Sequence, residues 1–254
     1  MRVTVCELPH ESAALPGAWA ALAEHTARRQ PELVLLPEFA FVGPVWEADA
    51  FDPGRWTEAM AESDAGIARL AELGAVHVVG ARPATEGGRP FNEGFLWTAG
   101  QGVTRLRRKY YLPDDPGGHE ARWFDRGDAA FPAFHAGPLA FGLNICTELW
   151  ALETYPAYAA GGIHAVLAPR ATAAATTARW LSVGVVAAVR SGAFCLSSNR
   201  VDRSGAAGGV GWIISPEGRI LATTTPAAPF VTLDLDLAVP AAARLGYPCA
   251  VLRD

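Results

Sequence analysis

An acid, an amine and a thiol each stand just beyond a segment that the sequence predicts to be a β-strand. Glu38 follows LVLLP, Lys109 follows VTRLRR and Cys146 follows AFGLNI. In α/β folds, functional sites assemble at the carboxyl ends of strands. A thiol can attack an electrophilic carbon, and a carboxylate can take its proton. The pattern therefore predicts a site for nucleophilic chemistry.

The expected strand-to-helix junction bears on the reactivity of Cys146. A helix N-terminus favours the thiolate, which is the nucleophilic form. An unperturbed cysteine, with a pKa of about 8.5, is only a few per cent thiolate at neutral pH, so it also needs a base. Glu38 lies among Leu36, Pro37 and Phe39. A carboxylate buried in such a setting can serve as that base.

Lys109 is the single lysine of the chain, so 20 of the 21 basic residues are arginine. A general preference for arginine explains why lysine is scarce. Its retention at one position suggests a site where the wide guanidinium fork does not fit and a compact ammonium does. Singly, each candidate has a structural alternative: a cap or ion pair for Glu38, a surface charge for Lys109 and a core position for Cys146.

The other three cysteines are widely scattered, at Cys6, Cys195 and Cys249. With no CxxC pair, the spacing fits neither a zinc site nor a dense disulfide framework. Cys6 and Cys195 lie in apolar runs typical of buried strands, where cysteine acts as a small core residue. We expect Cys146 to be the reactive thiol and no metal to be involved.

Length and composition narrow the class of protein. A chain of 254 residues with 50% hydrophobic residues can bury a large core, and one domain spanning residues 1–254 is the simplest interpretation. No apolar run is long enough for a membrane span. The first residues, MRVTVCELPH, resemble a strand more than a signal peptide, so we expect a cytoplasmic protein. A net charge of −5 argues against a nucleic-acid partner.

The segments alternate between strand and helix, which predicts α/β architecture. Buried strands are expected at 33–36, 76–81, 139–145 and 165–167, and helices at 16–29, 57–73, 149–160 and 178–191. Residues 91–98 and 103–108 form an expected hairpin, so the sheets should be mixed. The segment 112–128 is expected to be a loop.

Other catalytic classes lack their signatures. A serine hydrolase of the α/β type would need a G-x-S-x-G elbow, and a P-loop would need G-K-[ST]; neither is present. No pair of histidines has the spacing of a catalytic metal site.

The motifs together resemble the nitrilase superfamily of carbon–nitrogen hydrolases over nearly the whole chain. PELVLLPEFAF is similar to the glutamate motif of the family, RRKYYLP to its lysine motif and GLNICTELW to its cysteine motif. SSNRVDRSGAAGGVGWIISPEGRIL is similar to its Asn-Arg segment, Gly-rich strand and turn. The resemblance implies an αββα sandwich with mixed sheets, a homodimer or larger homo-oligomer, and no cofactor.

The resemblance also implies roles for individual residues. Glu38 would be the base, Cys146 the nucleophile that forms a thioester, and Lys109 with the N–H of Thr147 the donors to the oxyanion. HEARWFDRG matches a pattern in which a second glutamate, here Glu120, orients the substrate and holds the lysine.

The substrate is less defined by these motifs. Glu148 resembles the residue found in true nitrilases and acyltransferases, whereas Trp150 resembles that of glutamine-hydrolysing domains. The compact length favours an amidase on a small amide, with a nitrilase, an N-carbamoyl amide hydrolase or an inactive binding protein as alternatives. We expect Phe39, Thr147, Glu148 and Trp150 to line the substrate site. Arg170 could hold a substrate carboxylate or form an internal ion pair.

Overall fold

The computed structural model describes residues 1–252 and contains two sets of strands joined in one sheet path. The strands are β1 (Arg2–Pro9), β2 (Leu33–Glu38), β3 (His77–Glu86), β4 (Arg89–Thr98), β5 (Gly102–Arg108), β6 (Phe134–Ala136), β7 (Leu139–Leu143), β8 (Ala165–Pro169), β9 (Phe194–Val201), β10 (Trp212–Ile214), β11 (Ile220–Thr223) and β12 (Phe230–Asp234). The α-helices are α1 (Leu15–Arg29), α2 (Pro53–Ile67), α3 (Glu120–Trp123), α4 (Thr154–Ala160), α5 (Thr177–Ser191) and α6 (Val239–Ala243).

Each half of the sheet path has a parallel centre and antiparallel margins. The first half runs β5-β4-β3-β2-β1 with β12 on the other side of β1, and only β1, β2 and β3 are parallel. The second half runs β6-β7-β8-β9, with β10 and β11 added after β9, and β7, β8 and β9 are parallel. The predicted mixed sheets are confirmed.

Strand β1 joins the two halves. Its residues Val3 to Val5 pair with β2, and its residues Glu7 to Pro9 pair with β9. Both pairings are parallel, so the carboxyl ends of β2 and β9 come to the same region of the molecule. This joint brings the first-half residue Glu38 near the second-half segments that follow β7 and β8.

The layers follow from where the apolar side chains meet. One core cluster lies between the two halves and takes side chains such as Val5 and Leu35 from the first and Phe141 and Leu196 from the second. A second cluster packs α4 and α5 on the outer face of β8 and β9, and a third packs α1 on the outer face of β1 and β2. The arrangement is helix, sheet, sheet, helix, which confirms the predicted αββα sandwich.

Two helix predictions were wrong in their bounds. The expected helix at 57–73 begins earlier, at Pro53, because the Asp52 carboxylate caps the N–H groups of Gly54 and Arg55. It ends at Ile67, and a separate 3-10 helix follows at Leu70–Leu73.

The expected helix at 149–160 is in fact a 3-10 helix, Cys146–Trp150, followed by α4. Side chains also bind the last carbonyls of the 3-10 helix, and that of Glu148 accepts the N–H of Ala151 as well. The Asn144 amide donates to the carbonyl of Glu148 across 2.7 Å, and the Tyr155 hydroxyl donates to that of Leu149. No helix within residues 1–252 is both long and apolar enough to cross a membrane.

Candidate active site

Lys109 lies at the centre of a buried group of charged side chains. Its ammonium donates to Oε1 of Glu38 across 2.9 Å and to Oε1 of Glu120 across 2.7 Å, and its side chain is fully buried. Its backbone is held as well, because its N–H donates to the carbonyl of Asn92 across 2.8 Å. Burial alone would lower the pKa of Lys109, but the charges of Glu120 and Glu38 raise it above its ordinary value. The lysine is therefore an ammonium.

Glu38 ends β2 and is held at one oxygen only. Oε1 accepts from Lys109 and, across 2.7 Å, from the side-chain amide of Asn92. Oε2 is buried and has no hydrogen-bond partner within the protein. The backbone N–H of Glu38 donates to the carbonyl of Arg170 across 3.2 Å, which ties the end of β2 to the end of β8. The free oxygen is thus a rigidly held acceptor.

Glu120 opens the short helix α3 in the segment that the sequence predicts to be a loop. Like Glu38, it has one oxygen on Lys109 and a second, Oε2, that is buried without a partner. Burial raises the pKa of Glu120 to about 7, against the lowering effect of the Lys109 charge. Two buried carboxylates therefore share one ammonium, and each keeps a free acceptor oxygen.

Cys146 begins the 3-10 helix after β7 and has a φ of 48°, in the left-handed region that residues other than glycine rarely adopt. The charges of Glu38, Lys109 and Glu120 all act on its thiol, and the backbone N–H of Ala171 acts to lower the pKa of this thiol. The four residues of the predicted site thus influence one another directly.

The helix N-terminus, which was expected to favour the thiolate of Cys146, is outweighed in the structure by burial. Burial, with the charge of Glu38 next, raises the pKa of the Cys146 thiol above its ordinary value. The helix that starts at Cys146 is a five-residue 3-10 helix, too short to carry the dipole of a long α-helix. The resting sulfur is a thiol, so its proton has to leave during attack.

Glu148 is a brace between two segments of the site. Its carboxylate accepts two hydrogen bonds from the buried guanidinium of Arg107. It also accepts from the N–H of Tyr110 across 2.7 Å and from the N–H of Ile145 across 2.9 Å. Lys109 is the residue before Tyr110, and Cys146 is the residue after Ile145. Both oxygens are occupied, so the geometry argues against the predicted contact of Glu148 with substrate.

Arg170 follows β8 and is fully buried. Its guanidinium donates to the hydroxyls of Ser197 and Thr172 and to the carbonyl of Val210, at 2.6, 3.0 and 2.7 Å. It also stacks 3.9 Å from the ring centroid of Trp212. Each of its three nitrogens is used within the protein, and no ion pair recorded for residues 1–252 includes it. This placement argues against both sequence-based alternatives, a substrate carboxylate and an internal ion pair.

The remaining predicted residues border the site in different ways. Phe39 is buried, with a φ of 50°, and its ring meets Trp46 edge-on at 5.0 Å. Thr147 is half-buried directly after Cys146. Trp150 is 41% exposed and packs against Trp180 at 5.7 Å, on the outside of the 3-10 helix.

Asn92 is a functional candidate that the sequence analysis missed. It is buried in β4, and its amide donates to the oxygen of Glu38 that Lys109 also uses. The signal was a lone amide between Phe91 and the apolar run of Phe95 and Leu96 in an otherwise core-forming strand. Buried polar groups have partners, so such an amide indicates a polar neighbour.

The described part of the chain, residues 1–252, contains no cluster of three or more His, Cys, Asp or Glu side chains that could hold a metal ion. The chemistry available to the site is that of a thiol, two carboxylates, an amide and an ammonium.

Comparisons with known proteins agree with this picture. A family model described as carbon-nitrogen hydrolase matches residues 2–244. A glutamine-dependent NAD(+) synthetase of Rhodobacter capsulatus is 29% identical over 171 residues, which are 66% of this chain. The match spans 30% of that relative, so the chain corresponds to less than a third of its length.

Solved structures share the fold over almost the full length of the chain. A carbon-nitrogen hydrolase from Helicobacter pylori G27 has a TM-score of 0.86 at 19% identity, covering 100% of this chain and 95% of that one. A mutant amidase from Nesterenkonia sp. AN1 has a TM-score of 0.76 at 20% identity, covering 94% and 92%. In that amidase the acetamide moiety of fluoroacetamide is covalently added at the active site cysteine.

Proposed function

This chain belongs to the carbon–nitrogen hydrolase family, and we propose that it is an amidase that hydrolyses a small amide through a thioester on Cys146. The observation that carries the proposal is the position of the Lys109 ammonium. It is buried between Glu38 and Glu120 and acts electrostatically on the Cys146 thiol.

The first step is attack by the sulfur. Oε2 of Glu38, which has no partner within the protein, accepts the proton of the Cys146 thiol as the sulfur bonds to the amide carbon. Negative charge then develops on the amide oxygen. An ammonium has three N–H donors, and Lys109 uses two on carboxylates, so one remains for this oxygen. By the family resemblance, the backbone N–H of Thr147 is the second donor.

The second half of the reaction returns the enzyme to its starting state. Glu38 gives its proton to the leaving nitrogen, ammonia departs, and the thioester remains on Cys146. Glu38 next takes a proton from water, whose oxygen attacks the thioester carbon. The carbon–sulfur bond breaks, the acid leaves, and the proton returns to the sulfur.

The free oxygen of Glu120 favours an amide over a nitrile. Oε2 of Glu120 is a buried acceptor without a partner, and leaving such a group unpaired is costly. The NH₂ group of an amide has two N–H donors, one of which could bind this oxygen. A nitrile nitrogen has no hydrogen to donate.

The test is a panel of small amides, nitriles and N-carbamoyl compounds, scored for released ammonia with the wild-type protein and the Cys146→Ala variant. We expect amide-dependent release that the variant lacks, while Cys249→Ala, the matched control, retains it. Circular dichroism should show both variants folded.

Three outcomes would contradict the proposal. Ammonia release by Cys146→Ala would exclude the cysteine mechanism. Turnover of nitriles or N-carbamoyl compounds without amides would favour those alternatives. A folded wild-type protein that turns over none of the three classes, and whose intact mass is unchanged by fluoroacetamide, would favour an inactive binding protein.

A further inference from the structure

One peptide group acts on both the base and the nucleophile of the proposed reaction. The carbonyl of Arg170 and the N–H of Ala171 belong to the same peptide bond, which is trans and planar. The carbonyl accepts from the backbone N–H of Glu38 across 3.2 Å. The N–H acts on the Cys146 thiol and favours its ionised form. Because the two groups of a trans peptide point in opposite directions, this peptide holds Glu38 on one side and Cys146 on the other.

Thr172 anchors the segment that follows this peptide group. Its backbone N–H donates to Oδ1 of Asn199 across 3.1 Å, and its carbonyl accepts from the N–H of Gly208 across 2.7 Å. Its hydroxyl accepts from Nδ2 of Asn199 across 2.9 Å and from the Arg170 guanidinium across 3.0 Å. A hydroxyl oxygen has two acceptor lone pairs, so the acceptor capacity of this one is full.

Asn199 holds Thr172 from a strand at the centre of the molecule. It lies in β9, which pairs with both β1 and β8, and it is fully buried. Its amide accepts from the N–H of Thr172 and donates to the Thr172 hydroxyl and, across 2.6 Å, to the carbonyl of Gly209. A buried amide with its donors and acceptor all bonded stays in one orientation. Asn199 is therefore a rigid support for Thr172.

Arg170 anchors the peptide group from the other side. Its backbone N–H donates to the carbonyl of Ser198 across 2.9 Å, and its guanidinium is bound at all three nitrogens. Ala171, between Arg170 and Thr172, has only a methyl side chain and cannot hold its own backbone through a polar group. The direction of its N–H therefore depends on the two residues that flank it.

We propose that Asn199 is a positioning residue of the amidase reaction, which keeps the peptide group between Arg170 and Ala171 aligned with Glu38 and Cys146. It acts through Thr172, its hydrogen-bond partner, rather than on the reacting atoms. This inference rests on the proposed amidase function and deepens it, because it adds a residue on which the reactivity of the nucleophile depends. Without Asn199, the N–H of Ala171 would turn away from the thiol, which would then lose its proton less readily.

The first test is the rate at which iodoacetamide alkylates Cys146, followed by intact mass over a range of pH. The Cys146→Ala protein gives the rate for the other cysteines, which is subtracted. Asn199→Ala should lower the Cys146 rate by about tenfold at each pH, the lower end of the range for a hydrogen bond to a charged group. Circular dichroism and the melting temperature show whether each variant is folded.

Thr172 offers a matched pair of variants. Thr172→Val removes the hydroxyl that accepts from Asn199 and Arg170, and it should slow alkylation by a similar factor. Thr172→Ser keeps the hydroxyl and should restore the wild-type rate. Thr4→Val is the control, because it removes a buried hydroxyl, bonded to that of Thr232 at 2.7 Å, from the β1–β12 pair. It should lower the melting temperature without changing the alkylation rate.

Steady-state kinetics separate positioning from substrate binding. On an amide that the wild type hydrolyses, Asn199→Ala and Thr172→Val should lower kcat by about tenfold and leave KM nearly unchanged. Alkylation needs no turnover, so it decides the inference even if no amide is hydrolysed. Alkylation that depends on Thr172 in a protein that hydrolyses no amide would contradict the amidase activity and leave the positioning of the thiol intact.

Unchanged alkylation in folded Asn199→Ala or folded Thr172→Val would overturn the inference. Equal slowing in Thr4→Val or Thr172→Ser would also overturn it, because the rate would then follow stability and not the contact with the amide. If neither Asn199→Ala nor Thr172→Val folds, the amide serves the core and the inference fails. A wild-type Cys146 that reacts no faster than the other cysteines would overturn it as well, since there would be no reactivity for Asn199 to maintain.

Discussion

The ammonium of Lys109 and the carboxylate of Glu38 lie 2.9 Å apart, although 71 residues separate them in the chain. Both side chains are buried, and the amide of Asn92 shares the same carboxylate oxygen. The pair therefore fixes the direction in which the second oxygen of Glu38 points. Four predictions concern this pair and the buried polar residues around it.

Lys109→Arg should be nearly inactive despite its preserved charge. A guanidinium is wider than an ammonium and does not fit between Glu38 and Glu120 with a donor left for the oxyanion. Loss of one such donor typically costs about 10²–10³ in kcat. Arg105→Lys, on the exposed side of β5, is the reverse control and should retain full activity. Wild-type turnover by Lys109→Arg would mean that the reaction does not depend on a lysine at this position.

Asn92→Ala should lower kcat by about tenfold to a hundredfold with little change in KM, because it removes a hydrogen bond that orients Glu38. The adjacent Glu93 faces the other side of β4, toward Arg82. Glu93→Gln should affect the melting temperature more than kcat. Steady-state kinetics of both variants test this. If Asn92→Ala changes only the melting temperature, the amide is part of the core and does not position the base.

Glu148→Gln should destabilise the protein, because it leaves the buried Arg107 without its counter-charge. Breaking a buried ion pair typically costs about 3–5 kcal/mol. Urea unfolding measures the loss, and Glu24→Gln, which removes a surface pair with Arg28, should change little. A variant of normal stability with a raised KM would instead restore Glu148 as a substrate ligand.

Glu120 should make the protein less stable as the pH rises toward neutrality. Its pKa is about 7 when folded, against an ordinary value of 4.5, so the folded state retains the proton more tightly. The stabilisation is complete below about pH 4.5 and is lost as the pH rises through 7. Relative to Glu120→Gln, the wild-type free energy of unfolding should fall over this window. Parallel urea titrations measure the difference, and a constant offset between the proteins would exclude the raised pKa.

The exposed Glu217→Gln variant controls for general effects of removing a carboxylate. The free energy of unfolding of Glu217→Gln should depend on pH as that of the wild type does, because the same buried groups titrate in both proteins. Only the difference between wild type and Glu120→Gln isolates the buried group.

The sequence predicted which residues lie close together better than it predicted their pKa values. Glu38, Lys109 and Cys146 were selected because each was predicted to follow a strand, and strand ends converge through the fold. Glu120 came from a motif match in a loop. The raised pKa of Cys146 was not predicted, because burial opposes ionisation and burial depends on residues that are distant in the chain.

Hydrogen-bond partners were the other limit. The role of Glu148 depends on Arg107, 41 residues earlier, and no local pattern links them. Asn92 looked like an ordinary strand residue, because its partner Glu38 ends β2, a strand that β3 separates from β4 in the sheet. Arg170 follows β8, and Arg200 lies near the end of β9. Only the tertiary structure shows that every guanidinium nitrogen of Arg170 has a hydrogen-bond partner, whereas Nε and Nη1 of Arg200 have none within the protein.

The single lysine also has a practical consequence. Reagents that acylate amines find no exposed lysine side chain, because the only one is fully buried beneath two carboxylates. Apart from the α-amino group, the amine available to them in the folded chain is that of Lys109, which they reach only when the structure around it opens. The rate at which Lys109 is acylated would therefore measure the rate of local opening around this site.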